Sequence, residues 1–434
     1  MHGWGRYPQI ENPKVYRPRE AAELKKLFSP QSDFIGIPRG MGRSYGDSAL
    51  ASHIIDMRAF NYLISFDCEK GLIRCAAGMT FADLLAFLIP RGFFVPVTPG
   101  TQWITVGGAI ASDIHGKNHH KEGSFCDHLL EFRLMTGSGE IVSCSRDQHP
   151  DLFFATCGGM GLTGVILDAT FRLKHIKSSD IEVLILKAPQ LKDLLALLTQ
   201  HECATYAVAW VDLLAKRGTF GRGILMLGEH ATSQGTLDVQ SPRPFAVPLD
   251  LPSWFINYPL MKAFNILHYH THRAKQEVRM DYASFFYPLD KVQNWNRLYG
   301  STGFIQYQCV VPKESGAQGI ETLLTRIAHS NYIATLGVLK TFGKGNAGYL
   351  SFPQEGYTLA VDFKIASGLF DFLNTLDRIV LDCGGRLYLT KDARMSAETF
   401  KKSYPQWEAF QAVRTKFGAD RVFCSLQSKR LGLG

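Results

Sequence analysis

The sequence predicts an α+β fold, on three observations. Over the first 175 or so residues, short helical and strand-like stretches alternate as small mixed units. Two pairs of strand-like runs meet at glycine turns, Glu69-Lys70-Gly71 and Gly137-Ser138-Gly139, which read as hairpins. From about Ile181 the texture changes, and 434 residues suffice for two or three domain-sized units.

Taken in order, residues 18–28 place Ala21, Leu24, Leu27 and Phe28 at helical spacing, and 34–38 read as a strand. The hairpins join 63–66 to 72–75 and 130–135 to 140–144. A helix is expected over 81–88, a strand over 93–97 and a helix start over 107–113. A helix over 151–156 then precedes a strand over 165–173. Beyond Ile181, a helix at 191–198 is followed by strands at 204–213, 223–227, 304–311 and 357–363. The last stretch carries a strand at 386–389 and amphipathic helices at 397–403 and 407–417. Residues 229–275 resist assignment, with five prolines and the aromatics Trp254, Phe255, Tyr258 and Phe264. They fit either a lid or membrane-skimming segment, or a loop packed on its own domain. Within them, His268, His270 and His272 alternate as on one face of a strand.

Composition excludes several classes. Only 20% of residues are charged and 12% are aromatic, so global disorder is ruled out. The formal charge of +8 permits an anionic partner without pointing to nucleic acid. Nine cysteines, an odd number with no CxxC pair, read as reduced thiols and not as a disulfide frame or zinc site. The first residues lack the apolar core of a signal peptide, and the uncharged run 92–112 is broken by Pro96, Pro99 and several glycines. A soluble, cytoplasmic protein is expected.

Three glycine clusters invite a ligand. Gly159-Met160-Gly161-Leu162-Thr163-Gly164 matches GxGxxG, but helix precedes it and strand follows, the reverse of a dinucleotide fingerprint. Residues 39–47 (Arg39-Gly40-Met41-Gly42-Arg43-Ser44-Tyr45-Gly46-Asp47) follow a strand, and their backbone N–H groups can face an anion. On these residues alone, a phosphate cradle and a tight turn both stay open. The run 105–120 is rich in small residues, which let a large flat ligand approach the backbone. His115 and His119 stand at i, i+4, yet Gly116 between them and the lack of a placed carboxylate argue against zinc. No GxSxG elbow, HExxH or Walker loop occurs. Tyr388 and Lys391 fall at a strand end, where functional residues often sit, while a surface lysine paired with Asp392 is the plainer reading.

Together these segments resemble the FAD-binding oxidoreductases of the vanillyl-alcohol oxidase/para-cresol methylhydroxylase superfamily, and within it the oxidases of polyprenylphosphoryl ribose. The likeness rests on Gly3-Trp4-Gly5-Arg6, 39–47, 106–120 with Gly123-Ser124-Phe125, Gly161-Leu162-Thr163-Gly164, 304–308, and 384–392 with Ala397-Glu398-Thr399-Phe400. The run Asp113-Ile114-His115-Gly116-Lys117-Asn118-His119-His120 is the most specific.

The resemblance implies a two-subdomain FAD-binding fold from both chain ends, 1–178 and 386–434, with a substrate domain on an antiparallel sheet inserted at 179–385. It implies that Arg39, Gly40, Met41, Gly42, Arg43, Ser44, Tyr45, Gly46 and Asp47 hold the FAD pyrophosphate. Gly100, Thr105, Val106, Gly107, Gly108, Ser112, Asp113, Ile114 and His115 would line the flavin, with Ile166 and Tyr388 as further contacts. Many superfamily members bond FAD to a histidine in the first glycine loop; Arg43 stands there, so FAD is expected to be non-covalent. Lys391, His115 and Gln308 would be catalytic, and Lys117, Gln306, Lys340, Trp210 and Tyr287 would bind substrate. No metal is expected.

The implied reaction oxidises the ribose 2'-hydroxyl of a polyprenylphosphoryl-β-D-ribose to the 2'-keto sugar. That is the first half of an epimerisation to the arabinose lipid used in cell-wall synthesis, with a short-chain reductase as partner. The alternatives are an FAD-dependent oxidase of a free sugar, alditol or aldonolactone, and a non-enzymatic basic module. Where mycobacterial members of the group carry a cysteine, this chain has Ala360. The segment 243–265 is expected to dock at the inner membrane.

Overall fold

The structure is a computed structural model describing residues 1–29, 32–233, 235–240, 245–252 and 254–434. Strands β1 (Lys14–Tyr16), β2 (Gly36–Arg39) and β3 (His53–Asp56) pair in parallel in the order β1-β3-β2, with helix α1 (Ala21–Lys25) between the first two. The first hairpin joins β4 (Leu63–Asp67) to β5 (Leu72–Ala76) through Gly71, whose φ of +61° suits glycine. Helix α2 (Phe81–Leu88) starts at a Thr80/Asp83 capping box and buries Phe81, Leu84, Leu85 and Leu88. Then come the short strand β6 (Phe93–Phe94) and helices α3 (Val106–Ala111) and α4 (His119–Glu122). The second hairpin, β7 (Leu129–Met135) with β8 (Ile141–Ser145), is followed by α5 (Pro150–Thr156), β9 (Val165–Arg172) and β10 (Lys174–His175). An antiparallel sheet of order β4-β5-β9-β7-β8 results, and β10 pairs with β6.

The middle of the chain builds one larger sheet. The elements in this stretch are β11 (Asp180–Ala188), α6 (Leu191–Gln200), β12 (Tyr206–Val211), β13 (Gly223–His230), β14 (Phe245–Ala246), α7 (Tyr258–Thr271), β15 (Lys275–Asp281), α8 (Tyr282–Phe286) and β16 (Val292–Gln293), of which β14 and β16 pair apart from the large sheet. After them come β17 (Phe304–Pro312), α9 (Gly316–Ala328), β18 (Ala334–Phe342), β19 (Gly356–Lys364), α10 (Leu369–Asp382) and β20 (Arg386–Leu387). Eight strands pair antiparallel in the order β15-β11-β13-β12-β18-β19-β17-β20. Helices α9 and α10 bury Ile320, Leu323, Leu324, Leu373, Leu376 and Val380 against one face of it. Because strand side chains alternate, Gln306 and Gln308 of β17 fall on the other face.

Helices α11 (Ala397–Ser403), α12 (Trp407–Lys416) and α13 (Leu426–Leu431) return the chain to its beginning. The Gly36 N–H donates to the Val422 carbonyl, the Cys424 N–H to the Gly36 carbonyl and the Leu426 N–H to the Leu50 carbonyl. Arg430 on α13 bridges Asp47 at 2.7 Å and Asp392 at 2.9 Å, both buried.

Several elements differ from expectation. The stretch 229–275 is not one loop: β13 runs to His230, and α7 starts at an Asn257 cap with Pro259 in its first turn. His268, His270 and His272 therefore sit at the end of a helix, and His272 bonds the His268 carbonyl at 2.9 Å, an i, i+4 contact. The strand expected over 93–97 shrinks to two residues before Pro96, and that over 386–389 pairs only at Arg386–Leu387. Residues 243, 244 and 253 of the 243–265 segment lie outside the described residues.

Replacing Arg430 with Met takes the ion pair from buried Asp47 and the nearest cation from buried Asp392, and should cost about 3–5 kcal/mol of stability. Denaturant unfolding of the variant against the parent measures it.

Candidate active site

Between the glycine loops and the large sheet lies a cleft of about 550 Å³, a size typical of small-molecule sites. One wall is the loop from Arg39 to Tyr45, which leaves β2 and turns at Gly42, φ +65°. A β-carbon on Gly42 would lie 2.1 Å from the Arg39 guanidinium, which donates to the carbonyls of His2 and Ala49. Arg43 stacks 4.1 Å above the Trp4 ring, and burial lowers the pKa of both arginines. The α3 wall adds Gly107, Gly108, Ala111 and Ser112, with Thr105 capping the helix through the Gly108 N–H at 3.1 Å. Gly100 faces open space: a β-carbon there meets nothing within 4 Å. Met160, Gly161 and Gly164 line the same wall, in the turn between α5 and β9.

The opposite wall is the sheet face carrying Gln306 and Gln308 on β17, Val338 and Lys340 on β18, Thr358 and Ala360 on β19, and Trp210 on β12. Thr358 donates its hydroxyl to the Cys309 carbonyl at 2.9 Å, so its oxygen accepts from the Gln308 amide at 3.2 Å. The Gln308 NH₂ also reaches His115 Nε2 at 3.0 Å. His115 Nε2 is therefore the unprotonated acceptor, and its proton sits on Nδ1, a buried atom without a protein partner among the described residues. Burial foremost, and then Lys340, hold the His115 pKa well below the ordinary value, so the ring is neutral between Phe342, Phe352 and Tyr388.

Three half-buried lysines face the cleft. Lys117 donates to the Phe285 carbonyl and lies 4.1 Å over that ring; burial and then Lys340 bring its pKa to about 7. Lys340 reaches the Gly116 carbonyl at 3.5 Å, and burial brings it to about 8. Neither has a carboxylate within ion-pair distance among the described residues. Lys391 stands 3.7 Å over the Tyr45 ring, its pKa lowered by burial and raised in part by Asp362. Asp392, the plainer partner in the sequence, is turned instead to Arg430.

Most residues singled out in the sequence line this one cleft, but five lie behind its wall. Gly46 has no room for a side chain, with a β-carbon only 1.8 Å from the Asp392 carbonyl. Asp47 is spent on Arg430, and Val106 is core. Asp113, at φ +37°, accepts from the Cys126 N–H, Asn346 and Ser351. Tyr287 pairs with Thr98 at 2.6 Å. Cleft residues that the sequence reading missed include Thr358, Asp290, Phe285 and His268. Alternation along 356–364 opposite Gln306 and Gln308 was the available signal for Thr358; the others are set by tertiary approach.

The profile of an FAD-binding domain matches residues 14–145. Decaprenylphosphoryl-β-D-ribose oxidase of Mycolicibacterium smegmatis is 37% identical over 414 residues, spanning 92% of this chain and 89% of that protein. The chain belongs to the decaprenylphosphoryl-β-D-ribose oxidase family. An uncharacterized protein from the mprA 5' region of Streptomyces coelicolor is 35% identical over 82% of this chain and all of its own length. Cytokinin dehydrogenase 6 of Oryza sativa is 32% identical, but over only 36% of this chain.

As a member of this oxidase family the protein is an FAD-dependent oxidoreductase of the vanillyl-alcohol oxidase type. The cleft fits the cofactor. The backbone N–H groups of Met41, Gly42, Arg43 and Ser44 donate to no protein acceptor among the described residues, which leaves four donors in one turn for a pyrophosphate. The bare backbone at Gly100 and Gly108 admits a flat ring system. When bound, FAD supplies a hydride acceptor.

Gly46→Ala should push the loop off the Lys391–Asp392 turn and weaken FAD binding at least about tenfold, the equivalent of 1.4 kcal/mol. Flavin fluorescence titration of the deflavinated protein reads the change. Unfolding the parent should release all its flavin as free FAD, the outcome expected if Arg43 stands where superfamily members carry the covalent histidine.

Proposed function

We propose that the protein oxidises the 2'-hydroxyl of a polyprenylphosphoryl-β-D-ribose to the 2'-keto sugar, with the electron pair leaving as hydride to FAD. The observation that carries the substrate reading is the Lys117–Lys340 pair. Two half-buried ammonium groups have only carbonyl oxygens and aromatic rings for partners, burial pulls both toward neutrality, and an anionic phosphate would supply the missing counter-charge. A free polyol offers no such partner. The extent of the match to the mycobacterial oxidase supports the same substrate class.

Lys391 is the better candidate for the hydroxyl proton. His115 Nε2 is already occupied by Gln308, and the ring is held neutral, which makes it a fixed hydrogen-bonding group. Lys391, with its pKa lowered by burial, can present a neutral amine: the O–H bond breaks, an N–H bond forms at Nζ, and the C2 hydrogen leaves with its electron pair. Gln306 and Gln308 would orient the sugar on the sheet face. A separate reductase, returning a hydride to C2 from the opposite face, would complete an epimerisation.

The lipid tail has a surface to lie on. No helix of the described residues is long and apolar enough to cross a membrane. Helix α7 nonetheless turns Leu260, Phe264, Ile266 and Leu267 outward, 42–65% exposed, and Trp254 beside it is 71% exposed. Residues 251–276 hold Lys262, Arg273 and Lys275 and no acid. An apolar face with basic flanks suits an anionic bilayer surface. Inside α7, Asn265 is anchored on Asp212 at 2.7 Å, and His268 packs on Trp210 at the cleft.

Polyprenylphosphoryl ribose should bleach the flavin in stopped-flow while free polyols do not; equal bleaching by polyols would overturn the substrate reading. Lys391→Ala should slow that bleaching about 10²–10⁴-fold. Lys340→Met should lower kcat/KM roughly 10–100-fold. Lysines bind anions only while charged, so kcat/KM should fall as pH rises through about 7 to 8, and Lys340→Met should remove part of that limb. Leu260→Glu with Leu267→Glu should abolish cosedimentation with anionic vesicles and reduce turnover of long-tailed substrate, sparing FAD content and short-tailed turnover.

A further inference from the structure

We propose that Tyr45 is the positioning residue for Lys391: its ring face holds Nζ in place and answers the positive charge that forms there when a proton arrives. The proposal rests on the reading of Lys391 as the group that takes the hydroxyl proton. Nζ lies 3.7 Å from the centroid of the Tyr45 ring, and both residues line the cleft. An ammonium within about 6 Å of a ring centroid is drawn to the negative face of the ring. No hydrogen bond or ion pair among the described residues uses Lys391 Nζ. Lys117 and Lys340, by contrast, each donate to a backbone carbonyl.

The ring itself is held from both sides. The Tyr45 N–H donates to the carbonyl of Thr390, the residue before Lys391, at 3.0 Å, and the Tyr45 carbonyl accepts from the Gly5 N–H at 3.2 Å. The ring packs edge to face with Phe304, centroids 5.4 Å apart and planes at 79°. Phe304 is fully buried and stacks on Tyr299 at 4.3 Å. On the other segment, the Lys391 N–H donates to the Tyr388 carbonyl at 3.0 Å. Ring and lysine backbone are thus both anchored, and the contact between them is part of the joint that Gly46 allows.

The partner is a neutral ring and not a phenolate, because burial pushes the Tyr45 pKa far upward. Other groups act on Lys391 from further off: Lys340 on β18 disfavours the ammonium and Asp362 on β19 favours it. His115 is neutral, and Asp392 is turned to Arg430. A neutral amine gains little from the face of an aromatic ring, whereas an ammonium gains in full. The contact therefore strengthens as the O–H bond breaks and the N–H bond forms at Nζ, which is the condition for speeding that step.

The test is a series at position 45 in the FAD-loaded enzyme: Tyr45→Phe, Tyr45→Leu, and mono-, di- and trifluorinated phenylalanines. Fluorine drains negative charge from the ring face and barely changes its shape, so a role in packing alone would not follow the series. Competitive acetylation with acetic anhydride across pH, read by peptide mass spectrometry, gives the titration midpoint of Lys391 without substrate or turnover. Tyr45→Phe should keep that midpoint close to the parent's. Tyr45→Leu should lower it by about 0.5–1.5 pH units, with the fluorinated rings falling between in order. Flavin bleaching by polyprenylphosphoryl ribose should slow roughly 3–30-fold in the same order. A midpoint that stays flat from phenylalanine to its trifluorinated form overturns the proposal. So does a fall on Tyr45→Phe as large as on Tyr45→Leu, which would make the hydroxyl the partner. Should Tyr45→Leu fail to retain FAD, the fluorinated series decides, because every member keeps the ring. A wrong substrate class would appear as a parent flavin that the lipid does not bleach, and a wrong proton acceptor as Lys391→Ala bleaching at the parent rate. Neither touches the acetylation midpoints, so these failures are distinguishable from that of Tyr45.

Discussion

Arg430, on the last helix, grips Asp47 behind the glycine loop and Asp392 beside Lys391, and the two walls of the cleft meet at that joint. One guanidinium answers two carboxylates that burial would otherwise leave uncompensated. Gly46 allows the closure, since any side chain there would collide with the Asp392 carbonyl. As a result the Tyr45 ring and the Lys391 ammonium come together at 3.7 Å through contacts that lie outside the cleft. The geometry of the site is inherited from residues that do not line it.

The same wall-building explains the electrostatics. Burying lysines in an apolar cleft costs solvation, and the chain offers Lys117 and Lys340 only carbonyl oxygens and an aromatic face in return. The charge that would settle them has to arrive with a ligand. Lys391 differs in that its pKa, lowered first by burial, is raised in part by Asp362.

How far the sequence could be read follows from which forces act locally. The two hairpins, the capped helix α2 and the closing helices were legible because turn glycines, caps and apolar periodicity sit within a few residues of one another. Helix α7 was not: its apolar side chains face outward and its single buried residue is the polar Asn265, the inverse of the usual pattern. The Gly loops and Lys391 stood out from the residues themselves, Lys117 and Lys340 came from a resemblance, and the fold brings them to one cleft. Asp47 and Asp113 show the limit of that route, since they stand within the matching runs yet spend their carboxylates on Arg430 and on Asn346 and Ser351.

The joint at Arg430 also imposes an order on synthesis. Asp47 emerges from the ribosome 383 residues before the arginine that must hold it (430 − 47), an interval of roughly 20–80 s at about 5–20 residues per second. During that time the β2 edge lacks the strand-like contacts of Val422 and Cys424. The eight-stranded sheet can pair meanwhile, but the glycine loop cannot take its final shape. The final shape of that loop therefore waits on the last helix of the chain and not on the stretch that forms the loop itself.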